Sequence, residues 1–142
     1  MTEVRRAAGE GDLGAALELR HEVFVVEQSV PLADELDGRD DEAEHLVAVE
    51  DGKVVGTCRL LHHDGVTKLG RMAVAPVARG RGIAGALLAE AEDAARRAGS
   101  RTMVLDAQTG ALGLYERAGY RVEGEEFLDA GIPHLTMRKA LA

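Results

Sequence analysis

The stretch Met72-Ala73-Val74-Ala75-Pro76-Val77-Ala78-Arg79-Gly80-Arg81-Gly82-Ile83-Ala84-Gly85 decides how this chain is read, because it has the pattern of a strand end, a loop and a helix start. A helix N-terminus carries partial positive charge and unpaired N–H groups, so Asp or Glu is its usual neighbour. Here Arg79 and Arg81 stand there instead. Gly80 and Gly82 remove side chains that would block approach to the backbone, so the loop makes sense if an anion, best a phosphate, supplies the missing negative charge. The competing reading is a glycine-rich turn with solvated arginines.

Gly80-Arg81-Gly82-Ile83-Ala84-Gly85 also spells G-x-G-x-x-G, with Asp106 lying 26 residues beyond Gly80. A dinucleotide site needs a strand that runs almost directly into the first glycine, whereas five residues including Pro76 separate Val74 from Gly80. Only 36 residues follow Asp106, too few for the rest of a doubly wound sheet, so the context contradicts NAD binding. A P-loop fails as well, since no Lys-Ser/Thr follows the glycines.

Toward the N-terminus, Val66 to Val74 reads as a strand behind the turn His62-His63-Asp64-Gly65, with Gly70 hinting at a bulge or a close backbone approach. His45 to Glu50 and Val54 to Leu61 flank Asp51-Gly52, a strong hairpin signal, so the centre is an antiparallel meander. Ala33 to Glu44 is rich in Asp and Glu and reads as irregular, with at most one helical turn. Before it, a strand at Val4 to Ala8 leads to a helix with Asp12 as N-cap and apolar positions Leu13, Ala16, Leu17, Val23 and Phe24, dissolving near Glu27 to Pro31. Toward the C-terminus, Ile83, Leu87, Leu88, Ala91, Ala94 and Ala95 form the apolar stripe of a helix over 83–98, which Gly99 stops. Thr102 to Leu105 reads as a buried strand, Ala111 to Ala118 as a short helix stopped by Gly119, and Tyr120 to Phe127 and Pro133 to Arg138 as closing strands. The class is α/β (α+β) with a mixed sheet.

Length and composition bound the function. At 142 residues the chain is one domain, 1–142, with 46% hydrophobic and 30% charged residues, the balance of a soluble globule. Met1 to Glu10 is polar and charged, so no leader is expected, and no apolar run approaches the roughly 18 residues of a membrane helix. Cys58 stands alone, which excludes a disulfide framework and a multi-cysteine zinc site; the expectation is a reducing cytoplasm and no metal. The net charge of −8 argues against nucleic-acid binding, yet it divides into −11 over 1–52, +5 over 53–101 and −2 over 102–142. The basic centre holds the proposed anion loop, and the acidic first third favours a cationic partner elsewhere.

These motifs resemble the GNAT superfamily of N-acetyltransferases, in which Arg/Gln-x-x-Gly-x-Gly/Ala holds the pyrophosphate of acetyl-CoA. Arg79-Gly80-Arg81-Gly82-Ile83-Ala84 fits the constrained positions, and Met72 to Pro76 matches the preceding strand. A second element, Asn-x-x-Ala-x-x-x-Tyr-Glu-x-x-Gly-Phe, is matched by Gln108, Ala111, Tyr115, Glu116, Gly119 and Tyr120, with Gln for Asn and Tyr for Phe as departures. Arg20, Val23 to Gln28, Pro31, Glu35, Asp37, His45-Leu46 and Gly131 to Met137 are similar to the small bacterial ElaA/YjcF-like subgroup. The resemblance implies the acyl-CoA N-acyltransferase fold, a mostly antiparallel central sheet of about six to seven strands flanked by about four helices.

It also implies acetyl-CoA as cosubstrate, with the pantetheine arm along the backbone of Met72, Ala73 and Val74 and the phosphates at Arg79, Gly80, Arg81, Gly82, Ile83, Ala84 and Gly85, while Gln108 and Tyr115 complete the cofactor side. A primary amine of a small molecule or peptide, cationic by the charge argument, would attack directly in a ternary complex. Tyr115 is the candidate general acid toward the departing thiolate; Glu27 is the first candidate base and His134 the second, as base or relay. Glu44 and His45 are weaker candidates. His62-His63 reads as exposed polar sequence, and Cys58 as a small core residue rather than a nucleophile. Two rival functions stay open, a non-catalytic acyl-CoA-binding sensor or interaction module and an acyl-homoserine lactone synthase-like enzyme. The sequence also leaves monomer and homodimer open.

Overall fold

The computed structural model describes residues 2–142. In chain order its elements are β1 (Thr2–Arg6), α1 (Gly9–Arg20) continued by a π-helical turn (His21–Glu27), α2 (Leu32–Glu35), β2 (Glu44–Glu50), β3 (Lys53–His63), β4 (Val66–Val74), α3 (Ile83–Arg97), β5 (Thr102–Gln108), α4 (Leu112–Arg117), β6 (Arg121–Val122), β7 (Phe127–Asp129) and β8 (Ile132–Ala140). They form one eight-stranded sheet in the order β1-β2-β3-β4-β5-β8-β6, with β7 also on β8. Among the described residues only β4 and β5 run parallel, and every other pairing is antiparallel. The mixed sheet with four α-helices is the expected architecture, with the strand count at eight.

The meander forms where its turns were read. Asp51 and Gly52 both take positive φ, 52° and 75°, the backbone of a tight hairpin turn whose twist matches its strands. α3 and α1 cover opposite faces of β3 and β4. On the α3 face Gly56 admits the helix: a Cβ there would lie 2.9 Å from Ile83 Cγ2 and 3.0 Å from Leu87 Cδ1. On the α1 face Ala73 packs with Leu19 and Val23.

Three local expectations are corrected. α1 starts at Gly9 with Ala8 as N-cap, not at Asp12; the Asp12 carboxylate instead reaches back to accept the Ala8 N–H at 2.7 Å and pairs with Arg5. The closing strand expected over 120–127 is two short pieces, β6 and β7, interrupted around Gly124, whose φ is +84°. The bulge expected at Gly70 puts its positive φ, 55°, on Arg71. Register there passes from Arg59 opposite Gly70 to Thr57 opposite Ala73, so two β4 residues oppose Cys58.

The bulge positions the site, because it lies where β4 has parted from β5. Their parallel pairing covers Val66 to Leu69 against Thr102 to Leu105 and goes no further, so the ends of the two strands diverge and open a wedge.

Candidate functional site

The wedge is the mouth of a cleft of about 630 Å³, lined by β4 from Lys68 to Val74, the end of β5, α4, β8 and the π-helical turn after α1. Ala75 N–H donates to Val55 O at 2.8 Å, so by the alternation of an antiparallel ladder Ala73 faces β3 and the backbones of Met72 and Val74 face the edge β5 has left. Val74 O confirms that direction, since Arg79 Nε donates to it at 2.9 Å. A strand edge whose N–H and C=O groups point away from its neighbour is a template for an extended ligand.

At the end of that edge stands the loop singled out by sequence. Gly80 and Gly82 have φ of +77° and +80°, with open space where a Cβ would project, and Gly82 is the N-cap of the 15-residue α3. The loop therefore bares backbone N–H groups at a helix N-terminus with no side chain to cap them. Arg79 and Ala84 line the cleft. Arg81 does not; it donates to Glu50 at 2.7 Å and ties the loop to β2. Ile83 is buried in the core under Gly56, and Gly85 faces a shallower groove of about 360 Å³ between α3 and α4.

Tyr115 and His134 both line the main cleft. Tyr115 packs edge-on against Tyr120 with ring centroids 6.0 Å apart, and burial pushes its hydroxyl up to about 12, so it stays protonated at neutral pH. His134 lies opposite Gln108 in the β5–β8 register and stacks on Phe127. Its Nδ1 donates to Ile132 O at 2.7 Å, which fixes the tautomer and leaves the Nε2 lone pair free to accept a proton. Gln108 Nε2 donates to Gln28 Oε1 at 2.9 Å.

Glu27 lies in a different setting from the one expected. It is not among the residues lining the cleft. Its carboxylate receives Arg79 Nη1 at 2.8 Å and Nη2 at 2.7 Å, and those hydrogen bonds hold its carboxyl below the usual range, the wrong direction for a base. The weaker candidates are engaged elsewhere: Glu44 accepts from His62 at 2.8 Å, and His45 Nε2 meets Asp40 O at 2.9 Å. Cys58 is buried, and burial pushes its thiol up to about 12, which suits a core residue.

The acid-rich segment before β2 closes the far side of the cleft, and most of its charge is balanced there. Arg20 Nε meets Glu35 Oε1 at 2.8 Å and Arg20 Nη1 meets Asp40 Oδ1 at 2.8 Å. Arg59 grips Asp37 with two bonds of 2.8 Å, and Arg71, at the bulge, reaches Glu35 at 2.7 Å. Those bonds hold Asp37 well below the usual carboxylate range; at Asp40 burial works the other way, and the bonds from Arg20 and Arg59 outweigh it. The carboxylates of Asp34 and Asp129, which also line the cleft, make no ion pair among the described residues. Sequence reading gave no role to Arg71, Asp34 or Asp129; Gly70 in mid-strand was the one local pointer, and it lay one residue from the bulge.

No helix is long and apolar enough to cross a membrane among the described residues. Residues 8–141 match the family described as Acetyltransferase (GNAT) domain. Bacillus subtilis YjcF, named an uncharacterized N-acetyltransferase, is 44% identical over 134 residues, covering 94% of this chain and 96% of that protein. Among solved structures, an acyl-CoA N-acyltransferase from Pseudomonas aeruginosa is 36% identical with a TM-score of 0.85, covering 99% of both chains. Escherichia coli ElaA is 27% identical with a TM-score of 0.87, covering 98% of this chain and 99% of its own. With the splayed strands, the glycine loop on α3 and a relative of this identity along nearly its whole length, the chain belongs to the GNAT acetyltransferase superfamily, in its ElaA/YjcF-like subgroup.

Proposed function

We propose that the protein transfers the acetyl group of acetyl-CoA to the primary amine of a small molecule or peptide by direct attack in a ternary complex. The observation that carries this reading is the divergence of β4 and β5 after Leu69 and Leu105, which leaves a free strand edge leading to an uncapped glycine loop at a helix N-terminus. The pantetheine arm adds to that edge through the backbones of Met72 and Val74, and the phosphates meet the N–H groups of the loop and Arg79. The thioester carbonyl oxygen then lies at the Val74 N–H, a donor placed for the oxyanion.

His134 Nε2 is the proton acceptor in this proposal and Tyr115 the donor. The amine nitrogen bonds to the carbonyl carbon and gives up its proton to His134, the carbon–sulfur bond breaks, and the thiolate takes its hydrogen bond from the Tyr115 hydroxyl. Asp34 and Asp129 favour a cationic acceptor, a narrower basis than the whole acidic third of the chain, because Glu35, Asp37 and Asp40 are already balanced by arginines. The test is to incubate the protein with acetyl-CoA and a panel of cationic, neutral and acidic amines while following thiol release. Turnover strongest with cationic amines is expected; tight CoA binding with no release across the panel would favour a binding module instead.

A further inference from the structure

This inference rests on the acyltransferase reading, and it begins with two of the side chains expected on the cosubstrate side, Arg79 and Gln108. Adjacent residues already occupy both. Arg79 is held by Glu27 through a paired contact of 2.7 and 2.8 Å, and Gln108 by Gln28 at 2.9 Å. Glu27 closes the π-helical turn, whose wide closure is fixed by Gln28 N–H on Val23 O at 3.1 Å and Val30 N–H on Phe24 O at 2.8 Å. Arg79 stands before α3 and Gln108 ends β5. One dipeptide therefore ties together the two walls that diverge to make the cleft.

Each contact imitates a ligand contact. A carboxylate matches the guanidinium fork as a phosphate does, and Gln28 Oε1 accepts the Gln108 amide hydrogen as a pantetheine carbonyl would. The Glu27–Arg79 pair is also open to exchange, with side chains 42% and 41% exposed. We propose that Glu27-Gln28 is a clasp that stands in for acyl-CoA on Arg79 and Gln108 in the free protein and is displaced by it, so that these two residues set cosubstrate affinity.

Calorimetric titration of wild type, Glu27→Gln and Gln28→Ala with CoA and with pantetheine, which lacks the phosphates, tests this. Glu27→Gln should bind CoA about two- to fivefold more tightly, the range of an exposed ion pair, with pantetheine unchanged. Gln28→Ala should tighten both ligands. In an Arg79→Gln background the gain from Glu27→Gln should vanish, because its partner is gone. Equal or weaker CoA binding by Glu27→Gln and by Glu27→Ala, at unchanged melting temperature, would overturn the clasp. So would an equal gain with pantetheine. If wild type turns over acetyl-CoA and only the gain is missing, the clasp alone falls; if wild type binds no CoA, the acyltransferase reading falls with it.

Discussion

Two sets of arginine–carboxylate contacts border the same cleft, and they differ in burial rather than in chemistry. Arg20 and Glu35 have side chains 1% and 2% exposed and share partners with Asp40, Arg71 and, through Asp37, Arg59, so each charge is held by more than one neighbour. Arg79 and Glu27 hold each other in the open, with Val74 O as the only other acceptor on that guanidinium among the described residues. A buried charge cannot leave its partner without losing most of its solvation, whereas an exposed one trades its partner for water or a ligand at little cost. The same pairing therefore makes a fixed wall on one side and an exchangeable contact on the other. The wall also anchors Arg71, and so the bulge where β4 has parted from β5.

The same substitution on each side gives the sharpest test. Arg20→Ala leaves Glu35 and Asp40 without their buried cation and should cost about 3–5 kcal/mol of folding stability, read by denaturant unfolding. A loss as small as that of a surface substitution would show the network to be incidental. Arg20→Met with Glu35→Gln removes both charges and should recover part of the loss, which separates the orphaned charge from the lost contact. Arg79→Ala should do the opposite: melting temperature nearly unchanged, and CoA affinity down about ten- to hundredfold, the range for losing charge-assisted hydrogen bonds to a phosphate. Unchanged CoA affinity would remove Arg79 from the site.

The exchangeable side was largely legible in the sequence, and the fixed side was not. Arg79 to Ala84 declares itself because an anion-accepting helix start is a local feature, written in consecutive residues. The meander declares itself through Asp51-Gly52, and α3 through its apolar stripe and Gly99. The segment from Ala33 to Glu44 looked like featureless acid with at most one turn, but it holds two, α2 and a 3₁₀ turn at Asp40–Glu42. What it pairs with, Arg20, Arg59 and Arg71, lies 15 to 37 residues away along the chain, and no periodicity records such partners. Reading block charge alone therefore overstated the negative field in the cleft. The pairing of Glu27 was hidden for the same reason: its position at a helix end was readable, but its bond to a residue 52 positions later was not.

Acid should weaken the fixed wall through Asp37 and Asp40. The folded-state values of Asp37 and Asp40 lie below their ordinary value of 3.8, so the stability they contribute is fully present above that pH and is lost as pH falls through the lowered values. Melting temperature should hold down to about pH 4 and then fall progressively. In Asp37→Asn the protein should start less stable and the fall should be shallower, since one of the titrating groups has gone. A profile of equal steepness would place the acid sensitivity elsewhere in the chain.

Ionic strength gives the smallest effect and needs no new contact to be broken. The Debye length shortens from about 10 Å at 0.1 M to about 3 Å at 1 M, which screens exposed charges and reaches buried ones far less. Sodium chloride should therefore shrink the small melting difference between wild type and Glu27→Gln toward zero, while the large difference between wild type and Arg20→Ala persists across the same range. If both differences shrink together, Arg20 and Glu35 are feeling solvent, and the division into a fixed wall and an exchangeable contact fails. If neither shrinks, the Glu27–Arg79 pair is held more tightly than its exposure implies and is a poor candidate for displacement by a phosphate.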